Sequence, residues 1–189
     1  PVSTYNTALG TYYTVAYMQT ANLYVKYGGR DVAGILADGS YGLHEQNTIE
    51  DTYQFGTLKN RHQGIDAIWA QQSVVRNNTI VNARHRGITV KNNSEIYGNR
   101  IGIRSIATNS FGISGYEATN IVVYNNTIIA RGEHPIGIGF VSAGTNNIEI
   151  YNNYIDSKTT ALGEEYGRTA YCFDSKDPRY PCKGNYAVG

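Results

Sequence analysis

Charged side chains and long apolar runs are both scarce in this chain of 189 residues. Only 16% of the residues are charged, and 16 Lys and Arg nearly balance 15 Asp and Glu, which leaves a net charge of +1. Because this balance gives no polyelectrolyte signal, the sequence predicts no nucleic-acid binding. No apolar run approaches the roughly 20 residues of a transmembrane helix, so no membrane span is expected.

Cysteine occurs at two positions, Cys172 and Cys182. Their spacing does not fit a zinc motif. They either form a disulfide that closes a small C-terminal loop or stay as two unpaired thiols. A disulfide would support an extracellular or cell-surface location.

The abundant residues are those of turns and strands. The chain contains 21 Gly and 17 Tyr, and Asn is frequent. Gly and Asn favour turns, whereas Tyr, Val, Ile and Thr favour strands. The composition therefore predicts an all-β fold that is rich in turns.

Two patterns repeat at nearly the same interval. An Asn that follows a short alternating strand recurs at steps of 21, 27 and 27 residues, at Asn78, Asn99, Asn126 and Asn153. Between these positions a Gly-Ile pair recurs at steps of 23, 25 and 25 residues, beginning at Gly64, Gly87, Gly112 and Gly137. A repeat of this length holds about three short strands and their turns, which is one coil of a solenoid.

The repeat predicts an all-β, right-handed parallel β-helix that forms a single domain. Residues 1–57 are interpreted as N-terminal coils and a cap, 58–156 as regular coils, and 157–189 as the last coil with a C-terminal tail. If the coils stack in register, the recurring Asn side chains point inward and hydrogen-bond from coil to coil. Such a ladder would supply the partners that a buried amide requires.

The Asn-Asn-Thr-Ile motif at 77–80 and 125–128 resembles the repeats of the pectate-lyase-like superfamily of parallel β-helices. The resemblance covers about residues 58 to 156. It implies the fold, but the superfamily includes lyases, hydrolases, epimerases, adhesins and phage tailspikes, so it does not select an activity. No cofactor or metal site is predicted. Ca²⁺ is left open, although the close aspartates of the pectate-lyase calcium cluster are missing.

Basic residues gather before the Gly-Ile pairs. If those pairs align, Arg-His pairs lie at equivalent places on two coils, and these four residues are the candidate catalytic group: Arg61, His62, Arg84 and His85. Arginine would neutralise the carboxylate of a uronate, and histidine would act as the base. Nearby candidates for substrate binding are Arg86, Arg131 and His134. The alternative interpretation is that all of these are solvated turn residues.

A second set of candidates is aromatic. Two positions before the ladder asparagines, Tyr97, Tyr124 and Tyr151 are expected to point outward. They would either hold sugar rings or stack on one another across the strands, and stacking is favoured. Trp69 is a further candidate for sugar contact.

Two functions are compatible with these patterns. The first is an extracellular protein that interacts with a polysaccharide, as a lyase or epimerase on an acidic uronate polymer. The second is a non-catalytic surface module: an adhesin, a glycan-binding repeat or a filament subunit. The predicted partner is a polysaccharide or cell-surface glycan, and a homo-oligomer or filament is compatible with the solenoid.

Overall fold

The computed structural model describes residues 17–28, 34–37, 41–53, 66–105, 110–115, 117–132, 135–140, 146–159, 168–172 and 186–188. These residues form nineteen β-strands in three sheets. In the described ranges, no helical segment has the length and apolarity that a membrane span needs.

Apart from β19, each sheet takes every third strand of the described chain. The first sheet contains β1 (Tyr17–Ala21), β4 (Tyr41–Glu45), β7 (Ser73–Arg76), β10 (Ser94–Tyr97), β13 (Thr119–Tyr124) and β16 (Asn146–Tyr151). The second contains β2 (Tyr24–Gly28), β5 (Thr48–Tyr53), β8 (Thr79–Ala83), β11 (Arg100–Ser105), β14 (Thr127–Gly132), β17 (Tyr154–Thr159) and β19 (Tyr186–Val188). The third contains β3 (Ile35–Ala37), β6 (Asp66–Gln71), β9 (Arg86–Lys91), β12 (Ser110–Gly115), β15 (Pro135–Phe140) and β18 (Arg168–Cys172).

All pairs among the described strands are parallel, and neighbours in a sheet are three strands apart in the chain, except that β19 pairs with β17. This arrangement confirms the predicted right-handed parallel β-helix with about three short strands per coil. The core is built from aliphatic columns, in which Val75, Ile96, Val123 and Ile150 lie in register with 1% or less of their surface exposed.

The predicted asparagine ladder is confirmed. The side-chain amide of Asn78 donates to the Oδ1 atom of Asn99 at 2.9 Å, and the same bond links Asn99 to Asn126 and Asn126 to Asn153. Asn47 extends the ladder by one coil through the same bond to Asn78. These five amides are at most 1% exposed, and the ladder therefore fixes the register of the coils from within.

The residue before each ladder asparagine has a different task. Asn77, Asn125 and Asn152 have φ angles of 52–55°, in the left-handed region that a tight corner requires. Gly98, at the same position, has φ 66°. Because Asn and Gly enter this region at low cost, the Asn-Asn pair combines a corner residue with a buried amide.

One part of the predicted alignment is wrong. Asp66 pairs with Arg86 and Ile68 pairs with Ile88, so Ala67, and not Gly64, lies opposite Gly87. The core accommodates the methyl group of Ala67, which is fully buried. At β6 the register therefore differs by three residues from the glycine alignment that paired Arg61 and His62 with Arg84 and His85, and those two residues lie outside the described ranges.

Candidate functional site

Four of the predicted site residues lie outside the described residues, and their roles stay predictions: Arg61, His62, His134 and Cys182. Cys172 ends β18, and its pairing with Cys182 is likewise a prediction. The remaining candidates belong to three surfaces, which are described in turn.

The first surface is the outer face of the third sheet, where a bend turns two adjacent residues inward. A Cβ atom at Gly87 would point at the core side chain of Ile101, and the next residue, Ile88, is itself in the core. The residues on either side of this pair, Arg86 and Thr89, therefore both face outward. Phe111, in register with Arg86, is buried but is not part of the core cluster, as this geometry requires.

Three adjacent coils contribute polar groups to this face. The Thr89 hydroxyl donates to Oδ1 of Asp66 at 2.7 Å and lies 3.0 Å from the Ser114 hydroxyl. Nη1 of Arg86 lies 3.8 Å from the same Asp66 oxygen. Burial raises the pKa of Asp66 to about 6, while Arg86 and Thr89 act in the opposite direction. The carboxyl group is therefore held by an arginine and a hydroxyl in a nearly closed recess.

The histidine and tryptophan candidates flank this recess. His85 is 7% exposed, so little of its ring is accessible to a polymer. Trp69 lies in register with Leu36 and Thr89 and is half-buried. Its indole Nε1 atom is buried and has no hydrogen-bond partner among the described residues. The recess brings Asp66 and Arg86 together, and it leaves His85 covered beside them.

The second surface is a row of basic residues at the C-terminal ends of the strands of the second sheet, here called the cationic ladder. It consists of Arg84, Arg104, Arg131 and Lys158. Arg104 pairs with Arg131 and Arg131 with Lys158, while Arg84 directly follows Ala83, which pairs with Ile103. One basic residue is thus supplied by each of four consecutive coils, at a spacing of about 4.8 Å.

The arginines of the cationic ladder point away from the core. Ile103 and Ala130, the residues before Arg104 and Arg131, are core residues, so alternation directs both arginines outward. Nη2 of Arg131 binds Oδ2 of Asp156 at 2.5 Å. Among the described residues, Asp156 is the carboxylate that contacts the ladder, and Arg84 and Arg104 form no ion pair there. The row therefore carries a local excess of positive charge on a chain that is nearly neutral overall.

Arg104 was missed by the sequence prediction, although a signal for it exists. It stands five residues after the ladder asparagine Asn99, as Arg131 does after Asn126 and Lys158 after Asn153. Arg84 stands six residues after its asparagine because β8 contains a register shift, with Asn82 at φ 56°. Counting from the asparagines would have found the row, whereas counting from the glycines did not.

The third surface is the outer face of the first sheet, with its predicted tyrosines. The rings of Tyr97 and Tyr124 stack at 4.8 Å between centroids, and those of Tyr124 and Tyr151 at 5.1 Å. Arg76 continues the column, because its Nη1 donates to the Tyr97 hydroxyl at 2.9 Å while its Nε donates to Glu45. Both faces of the Tyr124 ring are covered by its neighbours, so this ring is not a platform for sugar rings.

The fold and these surfaces define the class of the protein: a parallel β-helix with a buried asparagine ladder and polar columns on its outer faces. Among known families, the chain belongs to the one described as periplasmic copper-binding protein (NosD), whose pattern matches residues 4–186. Comparison with the curated proteins and with the solved structures gives no match.

The family description names copper, which would require a cluster of donor groups. In the part of the chain that the structure describes, no three His, Cys, Asp or Glu residues come close enough together to hold a metal ion. His44, on β4 of the first sheet, is fully buried, and His85 lies at the bend between β8 of the second sheet and β9 of the third. Copper prefers imidazole and sulfur ligands gathered at one point, so the described residues do not fit a copper site.

Proposed function

We propose that this NosD-family β-helix is a non-catalytic module that binds an acidic polysaccharide along the cationic ladder. The observation that carries the proposal is the register of Arg104, Arg131 and Lys158, with Arg84 following at the other end. Four basic residues at neighbouring backbone positions extend over roughly 14 Å, three strand spacings of about 4.8 Å. An extended polymer with one carboxylate per sugar unit matches such a row.

Electrostatics support an anionic ligand at this place. Like charges directly opposite each other on neighbouring strands destabilise a sheet. Asp156 offsets part of this repulsion at Arg131, but Arg104 is exposed beside it. A polyanion bound along the row would remove the remaining repulsion and gain charge-assisted hydrogen bonds.

The proposal includes no bond cleavage. A lyase or epimerase needs a base that reaches the sugar, and the described histidines, His44 and His85, are buried. Arg86 faces Asp66 in the recess, where it compensates a carboxylate of the protein itself. The family description supports a location in the periplasm, where a cell-envelope polymer would be the partner.

The test measures the affinity of the whole chain for polygalacturonate and for alginate by calorimetry, at several salt concentrations. We expect Arg104→Gln to weaken binding about fivefold to tenfold, since one charge-assisted contact is lost. Raising the salt to about 0.5 M should weaken binding by the parent chain as well. Arg100→Gln is the matched control, because Arg100 is exposed on the same strand but lies outside the cationic ladder.

Equal losses for Arg104→Gln and Arg100→Gln would contradict a site at the ladder. Binding that ignores salt would contradict its ionic character. The same mixtures are monitored by ultraviolet absorbance, and the appearance of unsaturated uronate products would overturn the non-catalytic part of the proposal.

A further inference from the structure

A shallow groove crosses the outer face of the first sheet, on the side away from the tyrosine stack. Its volume is about 430 Å³, and strands β4, β7, β10 and β13 all contribute to it. Since these belong to four consecutive coils, the groove runs along the solenoid axis for roughly 14 Å. Its shape therefore suits a chain-like ligand that lies parallel to the axis.

The floor and walls of the groove differ in chemistry. Val74 and Val122 are half-buried and form an apolar floor. The walls carry the carboxamides of Gln72, Asn93 and Asn120. At one end stands Tyr41, whose surface is 45% exposed.

Hydrogen bonds within the protein fix the side chains of Asn93, Asn120 and Glu95 in the groove before any ligand binds. The Asn120 amide donates to Oδ1 of Asn93 at 2.9 Å, and the Asn147 amide continues this exposed row. The Glu95 carboxylate accepts a 2.6 Å hydrogen bond from the Tyr124 hydroxyl through Oε1. Pre-organised polar groups lower the entropy cost of binding, so these contacts favour a specific ligand.

We infer that this groove binds an extended, uncharged oligosaccharide. Carboxamides and a carboxylate exchange hydrogen bonds with sugar hydroxyl groups, while the valines and Tyr41 contact the apolar faces of the rings. Among the described residues that line the groove, Glu95 is the one carboxylate and none is Lys or Arg, so a uronate chain would meet repulsion there.

The inference is independent of the proposed function, because the groove and the cationic ladder lie on different sheets. If both sites bind, one molecule holds an acidic polymer on one face and a neutral chain on another. The β-helix would then act as a rigid cross-link between two polymers.

The experiment measures binding of neutral oligosaccharides of β-1,4-linked glucose, xylose and N-acetylglucosamine, from dimers to hexamers, by calorimetry with the whole chain. Affinity should rise with length until the groove is filled. Tyr41→Ala should weaken binding about threefold to tenfold. Val122→Arg, which fills the groove without removing a core residue, should weaken it at least as much. Raising the salt to about 0.5 M should leave binding unchanged.

Tyr24→Ala is the matched control, because Tyr24 is an exposed tyrosine on the second sheet, at 63%. Absence of binding for all three sugar series would overturn the inference. It would also be overturned if Tyr41→Ala and Val122→Arg both bound the neutral oligosaccharides as tightly as the parent does. A loss of neutral-oligosaccharide binding in Arg104→Gln, with none in Val122→Arg, would overturn it as well. Loss of neutral-sugar binding in Val122→Arg with unchanged polygalacturonate binding would establish two separate sites.

Discussion

At the scale of single residues, adjacent asparagines perform two different tasks at one corner. Asn125 has φ 53°, whereas Asn126 buries its amide and joins three coils. The recurrence in the sequence predicted a buried ladder, because only stacked amides supply each other with partners. It also predicted that the second asparagine of the pair is the buried one, because that position recurs in every coil, at Asn78, Asn99, Asn126 and Asn153.

Replacing Asn126 by Leu tests the ladder. The change removes the acceptor of the Asn99 backbone N–H and of the Asn99 amide, and stranded buried groups are costly. We expect a loss of about 2–5 kcal/mol in the free energy of unfolding, measured by denaturant titration. Asn125→Gly is the control, because glycine accepts the left-handed φ, as Gly98 does in another coil. Equal thermal midpoints for Asn126→Leu and the parent would refute the ladder's role.

At the scale of elements, the outer face of the first sheet is fixed by side-chain contacts between strands. Tyr124 on β13 stacks between Tyr97 on β10 and Tyr151 on β16, and it binds Glu95. Alternation in the sequence predicted the outward column, and its stacking followed from the strand spacing. The bond to Glu95 could not be predicted, because it crosses diagonally to a residue two positions before Tyr97.

Two substitutions of Tyr124 separate the stack from the hydrogen bond. Tyr124→Phe keeps both ring contacts and removes the bond to Glu95, so we expect a loss of about 0.5–1.5 kcal/mol in unfolding free energy. Tyr124→Ala also removes two aromatic contacts, and the loss should reach about 2–3 kcal/mol. Thermal and denaturant unfolding measure both values. If the two variants were equally stable, the ring stacking would contribute nothing.

At the scale of the whole molecule, the sequence predicted the coils best where the corner residues are constant. The alignment failed at β6, where Ala67, and not Gly64, takes the position opposite Gly87. The cationic ladder was found only in part, because its members come from the ends of four strands. Such a surface depends on the strand register. Because of the single register shift near Asn82, Arg84 lies six residues after its ladder asparagine, and the other members lie five residues after theirs.

Two buried ionisable groups on different sheets give the molecule opposite responses to pH. Burial lowers the pKa of His44 to about 4, so its proton favours the unfolded chain and stability rises with pH up to its ordinary value of 6.5. Burial raises the pKa of Asp66 from 3.8 to about 6, so the folded chain retains this proton longer than the unfolded one. That contribution is present at low pH and is lost as the pH rises to about 6.

The two effects overlap between about pH 4 and pH 6 and should nearly cancel in the parent chain. Each is on the order of 2–3 kcal/mol at 1.36 kcal/mol per unit of pKa. Asp66→Asn should therefore leave a free energy of unfolding that rises with pH across this window. His44→Val, which repeats the residue of the next coil at Val75, should leave one that falls. Denaturant titrations at half-unit steps of pH measure both slopes. Slopes of the same sign in the two variants would show that burial does not control the pKa values of these groups as described. Opposite slopes would show that the pH effects of His44 and Asp66, on separate sheets of one solenoid, cancel in the parent chain.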